Sequence, residues 1–272
     1  MHESLRNIVY LKIFLFVVLA VSVLSLSYRV VLSFVNSAFQ YKTFNLLLIG
    51  ESTHLIHLDR EFNTMTIVRL SGGRGEFQGK SRLAHSMKVG LLVDGSIVSN
   101  SENEFENSNN LSYAQAFKLI FAGQDYRFDH MNWVDVLKVS FYSQRIDKDN
   151  IKSIKIDDFR TDPDTLSSDF TANRFIDADI YSEKQSVQII NATGLDGLAS
   201  QASKALKNMG YNVVSLTNGK EKKSVIEASN IDSSSVKRLQ KILVLPIVKS
   251  DRPMVSDITV VFGEELEREL TD

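Results

Sequence analysis

Uncharged and mostly apolar residues fill the amino-terminal part of the chain. Positions 13–28 carry no charged side chain and are bounded by Lys12 and Arg29. At a rise of about 1.5 Å per residue this run spans about 24 Å, less than a bilayer core of about 30 Å. Extending the helix back to residue 8 supplies the missing length if the Lys12 ammonium reaches the interface. The pattern predicts a single membrane-spanning helix over residues 8–28.

A cleaved signal peptide is the alternative, with Arg6 and Lys12 in its charged region and a cut near Ser25 or Ser27. No small-x-small alanine site is present and another apolar run follows at 30–35, so a retained helix is favoured. The tail before the helix is short and basic, which favours a cytoplasmic amino terminus. The expected localisation is therefore the plasma membrane, single-pass, with the rest of the chain outside the cytoplasm.

Two modules of mixed strand and helix patterns follow this segment. In the first module, apolar runs and apolar alternation predict strands at 44–49, 54–58, 64–70 and 151–156. Apolar residues at helical spacing predict helices at 113–121 and 133–145, the second capped by Asn132. The expected fold class is α/β (α+β), with one N-terminal transmembrane helix followed by two small mixed α/β domains.

Polar and glycine-rich stretches separate these elements. Residues 71–79 are too rich in glycine for a regular element, and residues 99–110 are almost wholly polar, which predicts a mobile surface loop. Residues 157–182 hold seven Asp against two Arg with little apolar periodicity, as is typical of a linker. The predicted parts are a tail, membrane helix and juxtamembrane segment at 1–43, a first domain at 44–156, an acidic linker at 157–185, and a second domain at 186–272.

A strand that leads directly into a glycine-punctuated helix start opens the second module. Residues 187–190 predict a buried strand, and Thr193 or Asp196 can cap the helix that follows. Apolar residues at every fourth position from 198 to 206 give this helix a packing face, and Gly210 ends it in a left-handed conformation. The remaining predicted elements are a strand at 211–216, a helix at 235–245 and a last strand at 258–262.

The second module can be compared with a known family through a few ordered elements. They are the Asn191-x-Thr193-Gly194-x-x-Gly197 turn after the strand, the helix end at 206–210, and the closing Ile-Thr-Val-Val-Phe-Gly at 258–263. Together they resemble the LytR C-terminal domain of bacterial envelope proteins, over residues 186–263. This resemblance implies a place at the cell envelope, often beside a LytR-CpsA-Psr domain, and it implies no reaction.

Three segments of the first module are also similar to segments of a known family, although each of them is generic. Residues 45–50 read Asn-Leu-Leu-Leu-Ile-Gly, residues 63–68 form the second hairpin strand, and Phe-Asp-His stands at 128–130 before an amphipathic helix. The module is similar to a shortened, divergent LytR-CpsA-Psr domain. That family transfers anionic polymers from a polyprenyl phosphate carrier to the cell wall, using arginines and acidic residues that grip a pyrophosphate and a divalent metal.

The first module differs from that family in a segment on which the transfer reaction depends. The family has Ser-Ile-Pro-Arg-Asp after the hairpin strand, whereas residues 69–73 read Arg-Leu-Ser-Gly-Gly. No arginine can be carried over residue by residue. We therefore predict no catalytic residue, no metal and no cofactor, and a non-catalytic role is favoured over that of an enzyme.

Bulk composition excludes several classes of partner. The net charge is -2, from 31 basic and 33 acidic side chains, which gives no general attraction to nucleic acid. The 272 residues include no cysteine, which excludes disulfides, thiolate catalysis and cysteine metal sites. The five histidines are too scattered along the chain to form a recognisable metal motif.

Basic residues around the glycine-rich stretch are the best candidates for binding a polar ligand. Backbone amides in glycine turns form anion-binding nests that nearby cations reinforce. The pattern lacks the terminal Gly-Lys-Ser/Thr of a nucleotide loop, so a solvated basic loop is the favoured alternative. The candidate residues are Arg69, Arg74, Lys80 and Arg82.

The turn of the second module is the other candidate, through Asn191, Thr193 and Gly194. It is similar to a dinucleotide turn, in which the positive end of a helix receives phosphate. Only two of the three glycines are present, so a structural turn is favoured. In that interpretation Gly194 supplies the unusual backbone angle, Gly197 allows close helix packing, and Asn191 bonds the turn or faces a glycan.

The expected function is that of a membrane-anchored, non-catalytic envelope protein whose C-terminal domain binds a cell-wall polymer or a partner protein. Its expected partners are the lipid bilayer, through residues 8–28, and a cell-wall glycan or an envelope protein. Two alternatives stay open: transfer of anionic glycopolymers by the first domain, and scaffolding of a membrane complex. The missing arginine set is the sequence feature that argues against transfer.

Overall fold

The computed structural model describes residues 2–70, 77, 80–99, 113–121, 126–156, 175–251 and 253–271. Helix α1 (His2–Val35) opens the chain. Its segment Tyr10–Val35 has a mean hydropathy of 2.3 and is long and apolar enough to span a membrane. The helix continues past residue 28, the predicted end of the span, and Arg29 is the only charged residue between there and Val35.

The first domain is built on a six-stranded mixed sheet. Its strands are β1 (Thr43–Ile49), β2 (Thr53–Asp59), β3 (Thr64–Leu70), β4 (Gly95–Ser99), β5 (Tyr126–Asp129) and β6 (Ile151–Ile156). Their order across the sheet is β5-β4-β1-β2-β3-β6. Strands β1, β2 and β3 form an antiparallel meander, while β4 pairs with β1 and β6 pairs with β3 in parallel. Every residue of β1 and β2 is buried, since both faces of the sheet are covered.

Three helices of the first domain cover the two faces of this sheet. They are α2 (Arg82–Val89), α3 (Tyr113–Phe121) and α4 (Trp133–Ser143). Helices α3 and α4 lie on one face, where Leu119 and Val136 join the core. Helix α2 belongs to the core of the other face through Leu83 and Met87.

Asn132 caps α4 as the sequence predicts. Its Oδ1 accepts from the amides of Val134, at 2.8 Å, and Asp135, at 3.3 Å. Asp135 Oδ2 in turn accepts from the Asn132 amide at 2.8 Å, which completes a capping box. The residues that cap this helix therefore lie within four positions of one another in the sequence.

The second domain is an α/β unit on a five-stranded sheet. Its elements are α5 (Ala178–Glu183), β7 (Ser186–Asn191), α6 (Leu198–Asn208), β8 (Asn212–Asn218), β9 (Val225–Ala228), α7 (Ser234–Leu243), β10 (Ile247–Lys249), β11 (Ile258–Phe262) and α8 (Leu266–Thr271). The strand order is β10-β9-β11-β7-β8, with β11 parallel to β7 and antiparallel to β9. Leu198, Ala202 and Leu206 are buried as predicted, and Gly210, with φ of 96°, follows α6.

The two domains share one apolar core. It joins Leu47 and Val68 of the first sheet to Leu206 and Val260 of the second domain. Helix α2 of the first domain packs against α6 of the second. The two sheets are therefore parts of one packed body at this junction.

The acidic segment is structured at its carboxyl end, which differs from the linker predicted over 157–185. Phe175 is 1% exposed in the shared core, and Asp177 caps α5 by accepting from the Asp179 amide at 3.1 Å. Apolar residues anchor the chain here despite the surrounding acidic residues. Residues 157–174 lie outside the described residues.

The sequence reasoning missed several elements, namely α2, α5, α8, β4, β5 and β10. Strands β5 and β10 have only four and three residues, which is too short for a periodic pattern. Helix α2 contains Arg, His, Ser and Lys among its eight residues, so its apolar stripe is narrow. The polar stretch predicted as a mobile loop lies outside the described residues from 100 to 112.

Candidate functional site

The basic candidates around the glycine-rich stretch lie in different places. Arg69 is on β3, between β2 and β6. Lys80 is exposed just before α2, whereas Arg82, the first residue of α2, is 5% exposed. Arg74 and most of the glycine-rich stretch lie outside the described residues. Within the described part of the chain, the candidates therefore do not line a single cleft.

Arg82 joins the two domains. Its Nη1 donates to the carbonyl oxygen of Asp94 at 3.0 Å, within the first domain. Its Nη2 donates to the carbonyl oxygen of Ile242 on α7, in the second domain. The guanidinium thus satisfies a carbonyl near the end of a helix that belongs to the other domain.

A buried ion pair lies at the same junction. Arg238 Nη2 on α7 donates to Asp94 Oδ2 at 2.8 Å, and the two side chains are 1% and 2% exposed. The Asp94 carboxylate also accepts from the Asn45 amide at 2.7 Å, and Arg238 donates to the Thr43 carbonyl at 3.1 Å. Burial raises the pKa of Asp94, and Arg238 opposes the rise. Such a pair adds little net stability, but any other placement of α7 leaves a buried charge unpaired.

The turn after β7 is held by its own side chains. Asn191 Oδ1 accepts from the amide of Thr193 at 3.1 Å and from its hydroxyl at 2.6 Å. Asn191 Nδ2 donates to the Leu195 carbonyl at 2.9 Å, and the Gly194 amide donates to Glu267 Oε2 on α8 at 3.2 Å. The polar groups of Asn191, Thr193 and Gly194 therefore have partners inside the second domain.

The two glycines of this turn exchange the roles that the sequence predicts for them. Gly197 has φ of 78° and precedes α6 with no side-chain cap, so neither Thr193 nor Asp196 caps this helix. Gly194 is not among the glycines with positive φ. A Cβ at Gly194 would lie 3.0 Å from Glu267 Oε1, whereas nothing lies within 4 Å of a Cβ at Gly197. The close approach therefore occurs at Gly194. The local sequence does not reveal it, because the approaching group, Glu267, belongs to α8, far along the chain.

A cleft of about 420 Å³ lies between α2 and α6, and we call it the α2–α6 cleft. Residues that line it include Lys80, Lys88, Leu195, Asp196, Lys204 and Leu270. The cleft brings Lys80, from the glycine-rich candidate, beside residues 195–198, which follow the turn candidate. Two stretches that are more than one hundred positions apart in the sequence thus contribute to one surface.

Positive charge dominates the α2–α6 cleft. Lys80, Lys88 and Lys204 line it together with a single acidic residue, Asp196. Lysine ammonium groups on flexible stems attract anions without demanding a fixed geometry. Ser200 and other neutral polar residues also line the cleft, beside apolar surface. This mixture suits an anionic chain that carries hydroxyl groups.

Lys88 and Lys204 line the α2–α6 cleft but were not among the candidates that the sequence suggested. Lys88 was missed because α2 was not predicted. Leu83 and Met87, four residues apart, were a usable signal of that helix. Lys204 lies on a predicted helix, on the side away from its apolar face. Its stem packs against Gly90, 3.6 Å from the position of a Cβ there. Only the docking of α6 on α2 makes Lys204 part of a cleft.

The buried histidines of the first sheet are core residues. His57 Nδ1 lies 2.7 Å from Asn45 Oδ1, and burial, followed by Arg238, lowers the pKa of His57 to about 3. Burial, followed by Arg69, lowers the pKa of His54 to about 4. Both rings are therefore neutral at physiological pH. Within the described residues, no group of three or more His, Asp or Glu is arranged to hold a metal ion.

The described elements make this a two-domain α/β protein with an apolar amino-terminal helix and a cleft between α2 and α6. The sequence model of the family described as LytR cell envelope-related transcriptional attenuator matches residues 184–265. This match contains every strand of the second sheet, so the chain carries a LytR C-terminal domain. The resemblance stated for this domain is confirmed, and it indicates a function related to the cell envelope.

Comparison with whole proteins adds little to this assignment. None of the curated proteins matches the chain. Among solved structures, the X-ray structure of the Lin1025 protein from Listeria innocua matches with 12% identity, over 42% of this chain and 83% of that one. The TM-score is 0.27, and at that value the likeness carries no argument.

Proposed function

We propose that the protein is a single-pass, membrane-anchored envelope protein whose α2–α6 cleft binds an anionic cell-wall polymer. Its amino terminus is cytoplasmic and both α/β domains lie outside the cytoplasm. The observation that carries this proposal is the group of three lysines beside the LytR C-terminal domain's turn. A polymer with repeated negative charges gains from several such cations at once, even when each contact is weak.

Helix α1 supports the anchor. Its apolar segment of 26 residues exceeds the roughly 20 that a bilayer core requires. Arg6 precedes this segment, and basic residues beside a membrane helix favour the cytoplasmic side. This orientation puts the α2–α6 cleft on the side of the membrane where wall polymers are found.

The positions of Arg82 and Arg69 favour a binding function over polymer transfer. A transfer site of the LytR-CpsA-Psr kind requires arginines that converge on a pyrophosphate. Arg82 instead donates to backbone carbonyls of Asp94 and Ile242, at the junction between the domains. Arg69 stands at the carboxyl end of β3, away from the residues that line the α2–α6 cleft.

The test is sedimentation of the detergent-solubilised full chain with isolated bacterial cell walls, either intact or stripped of their anionic polymers. We expect retention on intact walls at low ionic strength and release at high salt, because exposed charges are screened. The double variant Lys88→Gln with Lys204→Gln should lose about tenfold in affinity, since each exposed ion pair contributes about 0.2–1 kcal/mol.

Lys237→Gln is the matched control, because Lys237 is exposed on α7 and pairs with Asp232 at 3.1 Å, outside the cleft. It should bind intact walls like the unmodified chain. Equal retention on stripped walls, or an unchanged affinity of the double variant, would rule out polymer binding at this cleft and favour a scaffolding role.

A further inference from the structure

A second pocket, of about 370 Å³, lies where α1 meets the first domain. We call it the juxtamembrane pocket. Its lining includes Asn36, Ala38, Arg82, His130, Asn132 and Lys241. None of these residues lines the α2–α6 cleft. Its volume falls within the range of about 300–1,000 Å³ that is usual for small-ligand sites.

The juxtamembrane pocket lies at the level of the bilayer surface when α1 spans the membrane. The 26 residues of Tyr10–Val35 extend about 39 Å, which is more than the hydrocarbon core of about 30 Å. The last turns of α1 therefore reach the layer of lipid headgroups. Asn36 and Ala38 follow directly and line the pocket, so the pocket lies next to the end of α1 that is nearest this layer.

Contacts between α1 and α4 hold the pocket in this position. Trp133 Nε1 donates to Ser33 Oγ at 3.2 Å, and Asn132 Nδ2 donates to the Ser33 carbonyl at 2.9 Å. The rings of Phe34 and Trp133 meet edge to face, with centroids 6.2 Å apart. Tryptophan is enriched at membrane interfaces, where its apolar ring and polar N–H suit the headgroup level. The membrane helix is thus docked on the domain instead of being a free tether.

Two cations, Arg82 and Lys241, and one carboxylate, Asp94, line the juxtamembrane pocket. Lys241 Nζ donates to the uncharged carbonyl oxygen of Ser37 at 2.5 Å. Burial lowers the pKa of Lys241 to about 8, so the ammonium is charged at neutral pH but poorly solvated. The Asp94 carboxylate is already paired with Arg238, and the nearby Asp135 carboxylate accepts from the Ser37 hydroxyl. A partly desolvated cation of this kind gains from an incoming anion.

His130 completes the wall of the pocket. Its backbone has φ of 55°, and its ring is partly exposed, with Nε2 3.6 Å from Asp129 Oδ1. Burial lowers the pKa of His130, so the ring is neutral and offers one N–H. A neutral donor beside a lysine ammonium is suited to a phosphate oxygen.

We propose that the juxtamembrane pocket binds the phosphate of an anionic lipid headgroup, with Lys241 and His130 as donors and Arg82 as a fixed positive charge behind them. The lipid is a component of the bilayer that α1 spans. This site is separate from the α2–α6 cleft and does not depend on polymer binding there.

The test is isothermal titration of the full chain, in a non-ionic detergent, with three probes. They are dihexanoyl phosphatidylglycerol, dihexanoyl phosphatidylcholine and inorganic phosphate. We expect measurable binding of the phosphatidylglycerol and markedly weaker binding of the other two, because the site needs both net negative charge and a position in the membrane surface. Lys241→Gln, which keeps a donor for the Ser37 carbonyl, should weaken phosphatidylglycerol binding about tenfold.

A second variant and a control make the outcome decisive. His130→Asn should also weaken binding, and it preserves the backbone because asparagine tolerates the left-handed conformation. Lys204→Gln, in the α2–α6 cleft, should bind phosphatidylglycerol like the unmodified chain. Equal affinity for the two lipids, inorganic phosphate binding as tightly as the lipid, or unchanged binding by both pocket variants would overturn the proposal.

Discussion

Arg238 is a residue of the second domain whose guanidinium lies inside the first. It donates to Asp94 Oδ2 at 2.8 Å and to the Thr43 carbonyl at 3.1 Å, and its carbon Cζ lies 4.4 Å from the centroid of the Tyr41 ring. Breaking a buried ion pair leaves a charge without a partner, which costs far more than the intact pair contributes. Arg238 therefore favours one placement of α7 against the first domain, beside the apolar core that the two domains share.

Replacement of Arg238 by Met should destabilise the protein by about 3–5 kcal/mol, because the Asp94 carboxylate then stays buried without its cation. The measurement is chemical denaturation of the detergent-solubilised chain, followed by circular dichroism. Adding Asp94→Asn should recover part of the loss, since asparagine still accepts from the Asn45 amide.

The neighbouring residue gives the matched control for this prediction. Lys237 pairs with Asp232 at 3.1 Å, and their side chains are 51% and 82% exposed. Lys237→Met should change stability by about 1 kcal/mol or less, because exposed pairs are weak. Similar losses for Arg238→Met and Lys237→Met would show that the buried pair does not hold the junction.

At the scale of elements, α6 depends on how the chain enters and leaves it. Gly197, with φ of 78°, turns the chain into the helix, and Gly210, with φ of 96°, follows its carboxyl end. Between them Leu198, Ala202 and Leu206 face the core, which leaves Lys204 on the side that meets α2. The backbone angle at Gly197 therefore aims the helix that supplies a cleft lysine.

Gly197→Ala should destabilise the protein by about 1–2 kcal/mol, because a left-handed conformation is strained for any residue with a Cβ. The space around Gly197 is open, so the effect is purely one of backbone conformation. Thermal unfolding followed by circular dichroism measures it as a lower midpoint.

Gly194→Ala is the contrasting variant in the same turn. Its new methyl group would meet the carboxylate of Glu267 at 3.0 Å, and that carboxylate is the far end of a flexible side chain that can shift. We expect a smaller loss than for Gly197→Ala. The reverse order of the two midpoints would mean that Gly194 carries the conformational constraint after all.

At the scale of the whole molecule, the two sheets behave as one packed body. The shared core includes Leu47 and Val68 from the first domain with Leu206 and Val260 from the second. Polar bridges surround it, among them Asn208 Nδ2 to the Gly90 carbonyl at 2.7 Å. Domains joined by a large apolar interface do not move independently.

The described parts of the two domains should therefore unfold in one cooperative transition. Differential scanning calorimetry of the solubilised full chain measures this as a single heat-absorption peak whose van't Hoff enthalpy equals the calorimetric enthalpy. Two resolved peaks would instead show two independent domains connected by the segment around residues 157–174.

The sequence by itself determined the class of the fold, the apolar helix and many element bounds. Strands at 64–70, 151–156 and 258–262 and the helix at 113–121 lie where predicted, as does the Asn132 cap. These features depend on neighbours within about four positions, which a linear pattern records. The resemblance of the second domain to its family was likewise detectable from the order of short elements along the chain.

The tertiary structure alone decided where the two pockets lie. Arg238 and Asp94 are 144 positions apart, and Lys80 and Lys204 meet only because α6 docks on α2. Burial and charge pairing at such separations depend on which surfaces pack together, and no periodicity within one segment encodes that choice. The same reason explains why Arg82, predicted as part of an exposed basic loop, is a buried bridge between the domains.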